Sequence, residues 1–421
     1  MKPPFTYQIR HLQLASHQPL PTDWTGQTGW YLVYWWNEVP VGHLFVDPAD
    51  KLTIQEVTNK SIVVIQAFLN SKMPESPIDK QQPDAGDNTL DALKQQLGAL
   101  LARYKVDRMP ATVPVTAVIC TRNRPDQLRR CLQSLQELPC QPEEIIVVDN
   151  APPDDRTLDV VRQFPGVIYC REPRPGLDIA RNAGARRASL PVVAYVDDDV
   201  TIHPHWVYQV WQTFQDPAVG AMTGLVIASE LKTEAQVIFE TFWSFNRGYL
   251  DNYYGTDYFN RTLAEGPPVW EVGAGANMAF RRTLFEEVGY FDERLDAGAA
   301  GCNGDSEMWF RVLNHGHTIH YNPRAVLFHE HRQELKALKK QIYSYMRGHT
   351  VAALIQQKQN QKAGYWRYMM KTVPEYYFHL LKAGFPAFDS RHMTIGVELK
   401  GILSGFLFYL KNRVEPPYQS M

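Results

Sequence analysis

The sequence is poor in cysteine, in long apolar runs and in net charge. Its five cysteines, Cys120, Cys131, Cys140, Cys170 and Cys302, are odd in number and never spaced as CxxC. This argues against a disulfide framework or a cysteine-based zinc module and predicts reduced, buried thiols in a cytoplasmic protein. The opening residues MKPPFTYQIR hold no apolar signal-peptide core. A spanning helix needs about 20 nearly uncharged apolar residues. The nearest candidate, Met393–Leu410, contains Glu398 and Lys400. A formal charge of −2 gives no electrostatic reason to expect nucleic acid as a partner.

What is present is an ordinary globular composition, 44% hydrophobic and 21% charged over 421 residues. Four regions are expected. Residues 1–72 read as a small β-rich module: Trp30–Trp36 and Val41–Val46 form a hairpin, Thr53–Val57 a third strand and Ile62–Asn70 a short helix. Its tryptophans (Trp24, Trp30, Trp35, Trp36) read as core rather than as a sugar-stacking platform. Residues 73–112 comprise a proline-punctuated linker and an amphipathic helix, Leu90–Tyr104, expected to dock on the following domain. Residues 113–332 alternate strands with helices, and residues 333–421 read as helices.

In the third region, Val115–Cys120, Glu144–Val148, Val167–Arg171 and Val192–Val196 are apolar strands, each followed or preceded by an amphipathic helical segment. Repeated βα units predict a mostly parallel sheet covered on both faces, with ligands bound beyond the strand C-termini. Thr121, Asp149 and the triplet Asp197-Asp198-Asp199 all fall there. Three adjacent acids are costly: two unit charges about 5 Å apart repel by roughly 3 kcal/mol at an effective dielectric near 20. A divalent cation is the simplest compensation, and all-oxygen ligation suits Mg²⁺ or Mn²⁺. Thr121 and Arg122 sit before a helix N-terminus, a favourable anion site. Arg181 either faces a phosphate or orients the carboxylates.

The segments VTAVICTRN (115–123), IIVVDN (145–150), GLDIARNAG (176–184) and VAYVDDD (193–199) resemble, in order, those of family 2 glycosyltransferases of GT-A fold. GAGANMAFRR (273–282), GYFD (289–292) and GDSEMWFR (304–311) extend the resemblance. It implies an inverting transfer from a nucleotide-diphosphate sugar. Thr121, Arg122, Asp149, Arg181, Asp197 and Asp198 would then bind the nucleotide sugar, Asp199 and His329 the metal, and Asp305 would be the catalytic base. His329 is preferred to His331. Gly304 departs from the family's acidic pair at that point.

On the acceptor side, the aromatic stretch Thr241–Tyr258 reads either as a lid or acceptor wall or as packing against the sheet. A QxxRW signature of processive synthases is absent, which favours single-sugar addition to a glycan or lipid-linked acceptor. The apolar face of Met393–Lys411 reads as bundle packing or a homodimer contact, or as a peripheral helix at the inner face of the membrane. Two other readings compete: a sugar-phosphate nucleotidyltransferase, and a catalytically silent sugar-nucleotide binder or scaffold. TRNRPDQ is not the glycine-rich basic loop that the first would show, and retention of Asp199 and Asp305 argues against the second.

Overall fold

The computed structural model describes residues 6–16, 28–72, 90–106 and 108–412. Trp24 and most of the expected linker lie outside them. Strands are numbered in chain order. The N-terminal sheet contains β1 (Tyr7–Gln13), β2 (Gly29–Trp36) and β3 (Val39–Val46). β2 and β3 form the expected antiparallel hairpin, but the third strand is β1, parallel to β2. The expected strand Thr53–Val57 is instead the start of a helix, Ile54–Lys72. Val57, Ser61, Ile65, Phe68 and Leu69 recur on one face of it, so the helical period overrides the local β propensity.

Period-two alternation gives this sheet two buried faces. Trp30, Leu32 and Tyr34 pack against the helices Ile54–Lys72 and Leu90–Leu101, while Tyr31, Val33 and Trp35 pack on the large sheet through Leu225, Ile227 and Val326. The helix Leu90–Leu101 therefore docks its leucines on the N-terminal sheet, not on the following domain as expected. Trp30 and Trp35 are buried.

The large, nine-stranded sheet runs in the order β10 (Asn252–Tyr254), β12 (Thr318–His329), β9 (Val219–Ala228), β11 (Asn277–Arg281), β7 (Val192–Asp197), β4 (Thr112–Thr121), β5 (Gln141–Asn150) and β6 (Val167–Glu172). The short strand β8 (Val200–Ile202) pairs with β12. β4, β5, β6 and β7 are parallel, β11 runs against them, and β9 and β12 again share their direction. Thr121, Asp149, Asp197 and His329, at the ends of β4, β5, β7 and β12, thus come to one edge. Pairing of Val200 with His329 and a bond from the Glu330 N–H to the Asp199 carbonyl, 3.1 Å, lock the triplet against the end of β12.

The C-terminal region opens with the helix Leu335–Gln359 and closes with Ile395–Lys411. The expected helix Tyr365–Leu381 runs without a gap from Tyr365–Arg367 through a π-helical segment, Tyr368–Thr372, into the helix Val373–Gly384, which contains Pro374. The π-helical turn lies directly before Pro374, where a missing amide interrupts the regular α-helical ladder.

Candidate active site

A cavity of about 1110 Å³ opens over the strand C-termini, larger than a typical drug-sized site. Thr121, Arg122, Arg181, Asp197, Asp198, Asp199, Asp305 and His329 all line it. Asp149 does not. Its buried carboxylate accepts a hydrogen bond from Tyr169, 2.8 Å, and its neighbour Asn150 lines the cavity instead.

The triplet splits by direction. Ligand atoms of Asp197, Asp199 and His329 lie within 4.8 Å of one another, whereas Asp198 accepts hydrogen bonds from the Thr121 hydroxyl at 2.7 Å and from Arg124 at 2.9 Å. The side chains therefore group Asp197 with Asp199 rather than with Asp198. Arg124 also reaches Asp199 at 2.9 Å, and Arg332 lies 3.6 Å away. Burial raises the Asp199 carboxyl, but His329, Arg124 and Arg332 outweigh it and hold the group well below the usual range. For Asp198, burial prevails over Arg124 and pushes its carboxyl up to about 6. Two carboxylates and an imidazole converging on one point are a donor set that fits Mn²⁺ or Mg²⁺.

Behind His329 runs a buried relay. His329 Nδ1 is 3.1 Å from His331 Nδ1, His331 Nε2 is 2.9 Å from Glu240 Oε2, and Tyr31 donates to Glu240 Oε1 at 3.3 Å. A carboxylate only accepts, so His331 donates from Nε2 and its Nδ1 carries the lone pair. His329 must then donate from Nδ1, which leaves its Nε2 as the atom facing Asp199, 3.3 Å away.

Elsewhere in the lining, the Asp305 carboxylate accepts backbone hydrogen bonds from Ser306, 2.7 Å, and Gly275. A Cβ on Gly275 would stand 2.7 Å from Asp305 Oδ2, so only glycine lets the backbone approach this closely. Burial raises the Asp305 carboxyl, Arg181 opposes and Asp296 adds to the rise. Arg181 is itself tied to Asp178 at 2.9 Å and to Asp296 at 2.6 Å. Its ion-pair partners are thus Asp178 and Asp296 rather than the triplet Asp197–Asp199. The segment 241–247 of the aromatic stretch forms part of the cavity wall, while Tyr249 and Tyr254 pack against the N-terminal unit and the sheet.

Residues 116–289 match the Glycosyl transferase family 2. The chain carries a family 2 glycosyltransferase domain. Its similarity to curated relatives is distant but broad. It is 25% identical over 241 residues to Glycosyltransferase AglE of Haloferax volcanii, covering 55% of this chain and 72% of AglE. It is also 25% identical over 242 residues to the Pre-mycofactocin glycosyltransferase of Mycobacterium tuberculosis, covering 57% of this chain but only 47% of that protein. A shorter match, 35% over 124 residues, joins 27% of this chain to 27% of the Validoxylamine A glucosyltransferase of Streptomyces hygroscopicus subsp. limoneus. Among solved structures, S. aureus TarS 1–349 overlays with a TM-score of 0.40 at 14% identity, covering 69% of this chain and 81% of that one.

Within the glycosyltransferase domain and its flanks, the sequence pattern did not single out Asp178, Arg124, Asp296 or Glu240, and it offered His331 only as the alternative to His329. Arg124 lay in view, two residues past the residue chosen, with only helix position to separate them: Arg122 is exposed at the cavity mouth while Arg124 turns inward to the acids. Glu240 carries no local signal at all, because its partner histidine is 91 residues away.

Proposed function

We propose that this chain is an inverting, metal-dependent, non-processive glycosyltransferase that moves a sugar from a nucleotide-diphosphate donor to an acceptor hydroxyl in glycan or polysaccharide assembly. The observation that carries this reading is the placement of two acidic groups in the lining of one cavity: Asp197 and Asp199 with His329, and Asp305. A cation held by the first group would offset the negative charge that grows on the departing diphosphate. Thr121, Asp198 and Arg124 form the polar floor next to it and would orient the nucleotide. Asp305 would take the proton from the acceptor hydroxyl as the new C–O bond forms and the bond to phosphate breaks. A single displacement of this kind inverts the anomeric centre. A protein whose five cysteines are all free suits a reducing cytoplasmic setting.

The test is a metal-dependent turnover assay across several nucleotide sugars. Release of nucleoside diphosphate supports the transferase. Pyrophosphate-dependent exchange would instead indicate a nucleotidyltransferase, and binding without turnover a scaffold.

A further inference from the structure

We propose that residues 366–411 form a docking surface for an anionic lipid bilayer. Of the fifteen large apolar side chains exposed among the described residues, eleven fall between Trp366 and Leu410, each 39–75% exposed. With roughly 150–250 Å² per aromatic side chain, this is on the order of 1,000 Å² of apolar surface, against about 300–600 Å² for the largest patch of an ordinary monomer. The surface spans two adjoining helices and the loop between them. Leu399, Leu403, Leu407 and Leu410 recur at helical spacing on the outward side of the last helix, and Phe385 in the loop is 75% exposed.

The last helix lies on the protein. Ser390–Lys411 is long and apolar enough to cross a membrane, but its inward face is committed. A Cβ on Gly401 or Gly405 would meet the Tyr343 or Arg347 carbonyl at 2.6 Å, and buried Glu398 pairs with Arg391 and accepts from Tyr377 at 2.8 Å. Such a helix presents one apolar face in the plane of an interface.

Charge selects the occupant. Between residues 366 and 411 the exposed ionic groups are Arg367, Lys371, Lys382, Lys400 and Lys411 against Glu375 and Asp389, a cationic excess in a chain whose total is −2. That excess opposes a symmetric contact with a second copy and favours anionic headgroups. The helix Leu335–Gln359 separates this surface from the cavity. It lines the cavity with Lys340, Gln341 and Tyr345, and its far side receives Gly401 and Gly405. With the last helix and Leu335–Gln359 both in between, the membrane would sit about two helix diameters, ~20 Å, from the site. In this respect the inference rests on the transferase reading and assigns it a lipid-linked acceptor.

The experiment is co-sedimentation of the full chain, without donor, with vesicles of phosphatidylcholine alone or mixed with phosphatidylglycerol. At least about tenfold tighter binding to the anionic vesicles is expected, falling about fivefold per lysine in Lys400→Gln and Lys411→Gln and weakening with salt. Leu403→Glu with Leu407→Glu should abolish binding while thermal stability and donor binding stay unchanged, since both side chains are exposed. Equal or absent binding to the two vesicle types overturns the proposal. So does a dimer by light scattering that the double leucine variant dissolves. Because no turnover is read, either failure leaves the transferase reading standing.

Discussion

Asp178 occupies the volume that any side chain at position 304 would need. A Cβ built on Gly304 falls on the Asp178 carboxylate, whose Oδ2 is buried without a hydrogen-bond partner while Oδ1 accepts from Arg181. The acid that the family resemblance leads one to expect at 304 is therefore missing for a steric reason, and a carboxylate from another helix stands in its place. Gly304→Asp alone should destabilise the fold by about 2–4 kcal/mol through overpacking and like-charge repulsion. Adding Asp178→Ala should recover at least ~1 kcal/mol, a coupling readable by thermal denaturation of the four proteins of the cycle. Strict additivity would show that the two positions do not compete.

The relay behind His329 makes a second prediction. His331→Phe keeps the ring volume but removes the acceptor that holds the His329 Nδ1 proton. Mn²⁺ affinity, measured by calorimetry without substrate, should fall about 10–100-fold. Asp199→Ala should weaken metal-dependent donor binding. Tyr31→Phe should have a smaller effect in the same direction, because Glu240 keeps its bond to His331.

Asp305→Asn should reduce transfer by at least about 10²-fold while leaving donor and metal binding close to wild type. A base works only when deprotonated, and burial raises the Asp305 carboxyl above its ordinary value. The acid limb of kcat/KM should therefore lie above the ordinary carboxylate range, with activity lost as the pH falls through it. An equal loss of donor affinity in Asp305→Asn would remove this residue from the base role.

Asp251 ties the N-terminal unit to the large sheet, accepting from Lys72 at 2.6 Å, from Arg324 at 2.8 and 2.6 Å, and meeting His320 at 3.0 Å. Burial raises its carboxyl, but His320, Arg324 and Lys72 overcome this and hold it far below the usual range. A depressed acid contributes stability that is present above its unfolded value of about 3.9 and lost as the pH falls through the folded one. Asp251→Asn should cost about 2–4 kcal/mol at neutral pH by denaturant titration. The gap from wild type should close as the solution is acidified below about pH 4.

The strands of the large sheet were legible because their signal is local: apolar runs ending in turn residues, repeated at βα spacing. The same holds for the acids at their ends, which any parallel sheet delivers to one edge. The N-terminal sheet was less legible. Thr53–Val57 has β-branched residues in a helix, and β1 pairs in parallel with a strand reached only through intervening chain, so no hairpin signal marks it. The helix Leu90–Leu101 announced its apolar stripe, but a stripe does not name its partner.

By itself, then, the sequence determined the alternating architecture, the cavity edge and the acids that line it at the strand ends, since periodicity and strand termini are properties of neighbouring residues. Tertiary structure alone decided which carboxylates face each other. The grouping of Asp197 with Asp199 and His329, the turn of Asp198 toward Thr121, the displacement of an acid from 304 by Asp178, and the relay from Tyr31 to His329 all depend on side chains brought together from distant strands and helices. Their burial is what makes those meetings matter, because a charge removed from water is governed by the few partners within hydrogen-bond reach.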